Sequence, residues 1–148
     1  MSGQAVWVFF YGSFINLDVL KQVGYVPERY EVARLHGFDI QIRPLANIVW
    51  SDSDSVYGIV ALATHADLER LYGQDWVGTY LPHPVVVSVT GGTLRPALTY
   101  IAPDMKPKPP VDDYVDRIIG PARRLGFPDW YVERLEKERA PDAEHLPS

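Results

Sequence analysis

Ala5-Val6-Trp7-Val8-Phe9-Phe10-Tyr11-Gly12-Ser13-Phe14-Ile15-Asn16 is the stretch on which the fold turns. Residues 5–10 are a short apolar run, the pattern of a buried strand. Tyr11-Gly12-Ser13 follows as a turn. Residues 17–23 then read as a short helix with Gly24 as its C-terminal stop. A strand-to-helix junction with a glycine in it points free backbone N–H groups at one spot, and the helix start adds positive potential. That arrangement suits a carboxylate or a polarised carbonyl oxygen. The plainer alternative is a glycine turn in which Ser13 or Asn16 caps the helix. Ser13 does not fit a nucleophile elbow, which would need glycines where Tyr11 and Ile15 stand.

Moving outward, residues 31–43 carry β-type alternation around Phe38, Ile40 and Ile42, and residues 55–63 read as a strong strand. Thr64-His65-Ala66-Asp67 matches a capping box, and Leu68, Leu71 and Tyr72 give a one-sided helix ending at Gly73. Residues 80–89 and 94–101 flank Gly91-Gly92, a hairpin turn. The proline-rich stretch 103–110 separates this β body from a helical tail. In the tail, Val111, Tyr114, Val115, Ile118, Ala122 and Leu125 recur at helical spacing. Gly120-Pro121 is expected to kink or break that helix, and Pro128 to open a last one bearing Tyr131, Val132 and Leu135. The whole reads as one α+β domain over 1–139 with a fraying tail over 140–148.

The chain has 148 residues, 47% of them hydrophobic and 22% charged, with a formal net charge of -5. These values fit a globular domain with a core and argue against nucleic acid or an anionic membrane as partner. There is no cysteine, so disulfides, thiolate metal sites and thiol nucleophiles are excluded together. No apolar run reaches the roughly 18 residues of a membrane span, and no signal peptide is read at the N-terminus. A cytoplasmic address is the expectation.

Among polar residues, Asp75 lies between Gly73 and Gly78 and beside Trp76. Apolar rings raise a carboxyl pKa, which suits a general base; a solvated loop aspartate is the alternative. His36, His65, His83 and His145 show no metal-ligand spacing. Asp52 and Asp54 begin like a calcium loop, but Val56 and Tyr57 stand where a ligand and the glycine belong. Asp112, Asp113 and Asp116 suit a helix start, and Arg123 and Arg124 a helix end. Tyr11, Tyr57, Tyr80, Tyr100 and Trp76 are aromatic positions that either line a pocket or pack the core. No metal and no cofactor is suggested.

Taken in order, these segments resemble the γ-glutamylcyclotransferase-like family, which includes the AIG2-like proteins. The resemblance rests on Tyr11-Gly12-Ser13, Ala46-Asn47-Ile48-Val49, Val56-Tyr57-Gly58-Ile59-Val60, the loop 71–80, and the segment 114–135 with Tyr131-Val132-Glu133-Arg134-Leu135. It implies a small mixed β-barrel with surrounding helices. It also implies a reaction in which a γ-glutamyl amine or amide cyclises to 5-oxoproline, the substrate's own α-amine being the nucleophile. No enzyme nucleophile is then needed. By resemblance Asp75 is the catalytic base and the backbone of Gly12, Ser13 and Phe14 supplies donors; Tyr11, Tyr80 and Tyr100, read as aromatic pocket positions, complete the substrate-binding set. Asp75 stands where the family has Glu, one methylene longer. Tyr72 and Trp76 replace a neighbouring Asp and Gly, and Phe14 stands where many relatives have Asn. Glu69 is the nearest other carboxylate, expected to be exposed on the helix.

Two functions follow: a cyclotransferase acting on a γ-glutamyl compound, or a non-catalytic relative binding a small carboxylated metabolite. A protein-interaction module is a third. The partner expected in the first case is a small-molecule γ-glutamyl substrate, and the oligomeric state is left open.

Overall fold

The computed structural model describes residues 4–73, 79–110 and 113–139. Strand β1, Ala5–Phe10, runs antiparallel to β3, Ala46–Thr64, from Ala5 opposite Thr64 to Phe10 opposite Ile59. It also pairs in parallel with β5, Leu94–Ile101, at Val8–Leu98 and Phe9–Thr99. The close approach of β1 and β3 needs Gly58, since a Cβ there would sit 2.0 Å from the Phe10 carbonyl oxygen. With β2, Tyr30–Ile42, and β4, Leu81–Val89, the strands close into a barrel in the order β1-β3-β2-β4-β5. One parallel pair among antiparallel ones makes the barrel mixed, as the resemblance implied. Around it lie α1, Leu17–Gln22; α2, His65–Tyr72; α3, Asp116–Arg124; and α4, Asp129–Glu136.

β1 is apolar throughout, and its second half, Val8, Phe9 and Phe10, is buried on both faces. Phe9 joins the larger core with β2, β3, α3 and α4, while Val8 and Phe10 join a second core with Leu20 of α1 and Leu68 and Leu71 of α2. Strand β2 has a phase change. Ala33 and Leu35 face the core before Gly37, and Phe38, Ile40 and Ile42 after it. Gly37, at φ +88°, stands alone opposite residues 51–54 of β3, and this irregularity in register restores the inward face. Across from it β3 extends well beyond the strand expected over 55–63. Residues 51–54, including Asp52 and Asp54, are a polar excursion within β3, closed by the Ser51 hydroxyl donating to Asp54.

The Thr64 hydroxyl accepts from the Asp67 N–H while the Asp67 carboxylate accepts from the Thr64 N–H, completing the expected capping box of α2. Gly91 and Gly92, both at positive φ, make the turn between β4 and β5. The break expected at Gly120-Pro121 does not occur. Helix α3 passes through Pro121, whose missing donor leaves the Arg117 carbonyl without its helical partner. Burial of Ile118, Ile119, Pro121 and Ala122 on one face offsets that loss. Helix α3 starts at Asp116; Val111 and Asp112 lie outside the described residues, as does the tail 140–148. No helix among the described residues is long and apolar enough to cross a membrane.

The C-terminal helix is locked to the barrel by charge. The Arg134 guanidinium donates to both Asp39 carboxylate oxygens, at 3.1 and 3.0 Å, and to Glu138 at 3.2 Å. The buried Glu138 carboxylate also accepts from the Ile42 N–H at 2.9 Å. A buried carboxylate with these partners is compensated, and removal of any one would leave a charge exposed to a low dielectric.

Candidate active site

The two cores meet where β1 ends. Tyr11 belongs to the larger and Phe14 and Tyr100 to the second, and between them lies a cavity of about 40 Å³. Its floor is the Tyr11-Gly12-Ser13-Phe14 turn. After Gly12 the chain enters a single 3₁₀ turn, Ser13–Ile15, and Asn16 caps α1 by accepting from the Asp18 N–H at 2.9 Å. Gly12 fits because a Cβ there would stand 2.6 Å from the Ala46 Cβ. No described residue accepts from the backbone N–H of Gly12 or Ser13.

Tyrosines form the walls, and their hydroxyls tie backbone segments together. The Tyr11 hydroxyl donates to the Tyr100 carbonyl at 2.6 Å. The Tyr80 hydroxyl donates to the Ala46 carbonyl. The Ala46 N–H donates to the Tyr114 hydroxyl at 3.3 Å. Tyr72, the last residue of α2, stacks on Tyr100 with ring centroids 3.8 Å apart and meets the edge of Phe14 at 5.4 Å. The end of β1, the start of β3 and the end of β5 are thereby held around one void.

No charged side chain lines the cavity among the described residues. Burial pushes the Tyr11 and Tyr72 phenols well above the ordinary tyrosine value, and neighbouring tyrosines add to the shift. Burial acts in the same direction on Tyr80, Tyr100 and Tyr114, and for Tyr114 contacts with Ala46 and Ser13 pull part of the shift back. At neutral pH the tyrosines of the walls are therefore uncharged phenols, unsuited to taking protons. The cavity exceeds the roughly 10–15 Å³ that one water requires and falls far below the roughly 300–1,000 Å³ of a drug-sized pocket. It fits the polar head of a small metabolite, approached by unpaired amides from one side and phenols from the others.

The structure brings together Tyr11, Gly12, Ser13, Phe14, Tyr80 and Tyr100, which the sequence singles out. Asp75 and Trp76 lie outside the described residues. Glu69 is exposed beside His65, 3.2 Å away. Tyr57 is not a cavity residue. It packs at another part of the barrel against Phe127 and Tyr131, with the Arg34 guanidinium 5.3 Å over its ring. Sequence reasoning missed Tyr72, Tyr114, Leu45 and Ala46 as lining residues. Tyr72 and Tyr114 fall at helical spacings that read as core, and nothing local marks their hydroxyls as facing a void. No His, Asp or Glu cluster among the described residues could hold a metal.

No family model and no curated protein matches this sequence. Solved structures do match in fold. A γ-glutamyl cyclotransferase superposes with a TM-score of 0.83 at 24% identity, over 97% of this chain and 94% of the other. An uncharacterized protein from Homo sapiens, loc79017, gives 0.78 at 22%, over 98% and 93%. A γ-glutamyl cyclotransferase specific to glutathione from yeast gives 0.57 at 12%, over 90% and 97%. The chain has the γ-glutamylcyclotransferase-like fold.

Proposed function

We propose that this protein cyclises a γ-glutamyl compound to 5-oxoproline and releases the amine. What supports the reading is the convergence of Tyr11, Gly12, Ser13, Phe14, Tyr80 and Tyr100 on one cavity whose Gly12 and Ser13 amides have no acceptor among the described residues. Similarity in fold to a γ-glutamyl cyclotransferase agrees with it. In the proposed step the substrate's α-amine nitrogen attacks its γ-carbonyl carbon and closes a five-membered lactam. The bond from that carbon to the leaving nitrogen breaks, and the proton lost by the attacking nitrogen goes to the leaving one. No protein nucleophile is consumed, in keeping with a chain that has no cysteine.

The cavity walls hold the γ-glutamyl group folded so that amine and carbonyl are in contact. The Gly12 and Ser13 amides are placed to receive negative charge on the carbonyl oxygen as the tetrahedral centre forms. The proton carrier is proposed to be Asp75, which in sequence follows the cavity residue Tyr72 by three positions and precedes Tyr80 by five. The buried phenols hold their protons too tightly to serve instead.

The test is 5-oxoproline release from a panel of γ-glutamyl amines, amino acids and peptides. Turnover should fall by about 10²–10⁴-fold in Asp75→Asn. Undiminished turnover in that variant would assign the base elsewhere. Saturable γ-glutamyl binding without turnover by the wild type would leave a metabolite-binding protein.

A further inference from the structure

A groove of about 360 Å³ lies where the proline-rich segment meets the end of α4. Three stretches of chain wall it: Ile42 and Arg43 where β2 ends, residues 107–110, and residues 137–139. Each stretch is held by contacts of its own. The Ile42 N–H donates to Glu138 at 2.9 Å, joining the first stretch to the third. The Arg139 guanidinium donates to Asp116 of α3 at 3.1 Å. The proline-rich segment is tethered at its base, where the Asn47 side chain donates to the Ala102 carbonyl at 2.8 Å and accepts from the Ala102 N–H at 3.0 Å.

Charge sets the groove apart from the rest of the chain. The formal net charge is -5, yet Arg43, Lys108, Lys137 and Arg139 line the groove against a single carboxylate, Glu138. Glu138 is buried, and its two oxygens already accept from the Ile42 N–H and from Arg134. Arg139 is committed to Asp116, and the Arg43 Nε stands 4.0 Å from Glu138. Lys108 and Lys137 make no ion pair among the described residues. A helix C-terminus attracts cations, which accounts for Lys137 and Arg139 just after α4. It does not account for Arg43 and Lys108, which are exposed and come from two other stretches.

Positive charge gathered in one place on an acidic chain selects an anion. The groove's volume falls within the roughly 300–1,000 Å³ of small-molecule sites. An extended polyanion such as nucleic acid would instead have to lie against the net negative remainder of the chain. A phosphate monoester carries about -1.5 to -2 at neutral pH, so it answers several cations better than one carboxylate does. Ile42, Pro107, Pro109 and Pro110 add apolar wall, suited to an organic body behind the phosphate.

We propose that this groove binds a small organic phosphate, with Arg43, Lys108 and Lys137 on the phosphate and the prolines against the rest of the ligand. The site is distinct from the tyrosine-walled cavity and does not depend on the cyclisation reading.

The test is a titration of the full chain with phenyl phosphate and, separately, with inorganic phosphate, followed by the NMR shifts of backbone amides. Phenyl phosphate should saturate the shifts of Arg43, Lys108 and Lys137 below about 10 mM, an affinity open to a small exposed site. It should bind about threefold or more tighter than inorganic phosphate, through burial of its ring. Lys108→Gln/Lys137→Gln should weaken it by about five- to tenfold, the size expected of two partly exposed ion pairs. Lys21→Gln, which removes a cation far from the groove along α1, should leave it unchanged. Absence of saturation, shifts centred on Gly12 and Ser13 instead, or an equal loss in Lys21→Gln overturns the site. Equal affinity for the two probes overturns its assignment to an organic phosphate.

Discussion

Two groups of aromatic residues share this barrel and behave in opposite ways. Around the cavity, Tyr11, Tyr72, Tyr80, Tyr100 and Tyr114 surround an empty space, and three of their hydroxyls are tied to backbone groups of distant segments. In the other group, Tyr57, Phe127, Trp130 and Tyr131 fill their space completely, ring against ring at 5.3–5.9 Å, and Arg34 lies over the outer rings of Tyr57 and Trp130. The first group is all tyrosine, and the second joins Tyr57 and Tyr131 to Phe127 and Trp130. The difference lies in how the rings are held. Rings touch in the first group too, with Tyr72 stacked on Tyr100 at 3.8 Å, but there three hydroxyls also tie the walls to backbone of separate segments and hold them around the void.

The largest effect that separates the two groups is expected from Tyr131→Ala. Tyr131 is almost fully buried in the packed group, so truncation should cost about 3–5 kcal/mol, read as a lowered urea midpoint. A loss below about 1 kcal/mol would mean that this group is not packed solid. Next is Tyr11→Phe, which deletes the 2.6 Å bond to the Tyr100 carbonyl and leaves that buried oxygen short of a donor. It should cost about 1–2 kcal/mol and also raise KM for a γ-glutamyl compound, because the void loses its shape. If stability falls and KM does not move, the tether serves the fold alone. Smallest is Arg34→Ala. It removes cations at 5.3 and 5.4 Å from two rings and a 2.8 Å bond to Ser55, and should cost about 0.5–1 kcal/mol with no change in KM. A KM effect as large as that of Tyr11→Phe would erase the distinction between the groups.

How much of this was legible in the sequence depended on whether the signal was local. The Thr64–Asp67 capping box and the Gly91-Gly92 turn are decided within four residues, and both appear where expected. Strand β3 was read too short because the polar residues Ser51 to Asp54 look like a loop. They are an excursion opposite the bulge at Gly37, and that pairing depends on another strand. Pro121 reads as a kink or break because propensity is local, and the helix runs through it because burial of its face is not. At the site, the Tyr11-Gly12-Ser13 turn and Tyr80 are within reach because their segments resemble a family, and Tyr100 because it is an aromatic position on a predicted strand. Tyr72, Tyr114 and Leu45 were not, since a tyrosine that faces a void and one that faces a core have the same spacing along a helix. Tyr57 takes the other of its two alternatives and packs among rings with no void.

The segment 103–110 adopts no strand or helix and is pinned to the barrel chiefly through Asn47 at its base. Its side chains can therefore change with little effect on the ladder that closes the barrel. A lineage could exchange lysines for acids or apolar residues here while the tyrosine-walled chamber persists. The charge beside that chamber would then evolve as a replaceable attachment on an inherited frame.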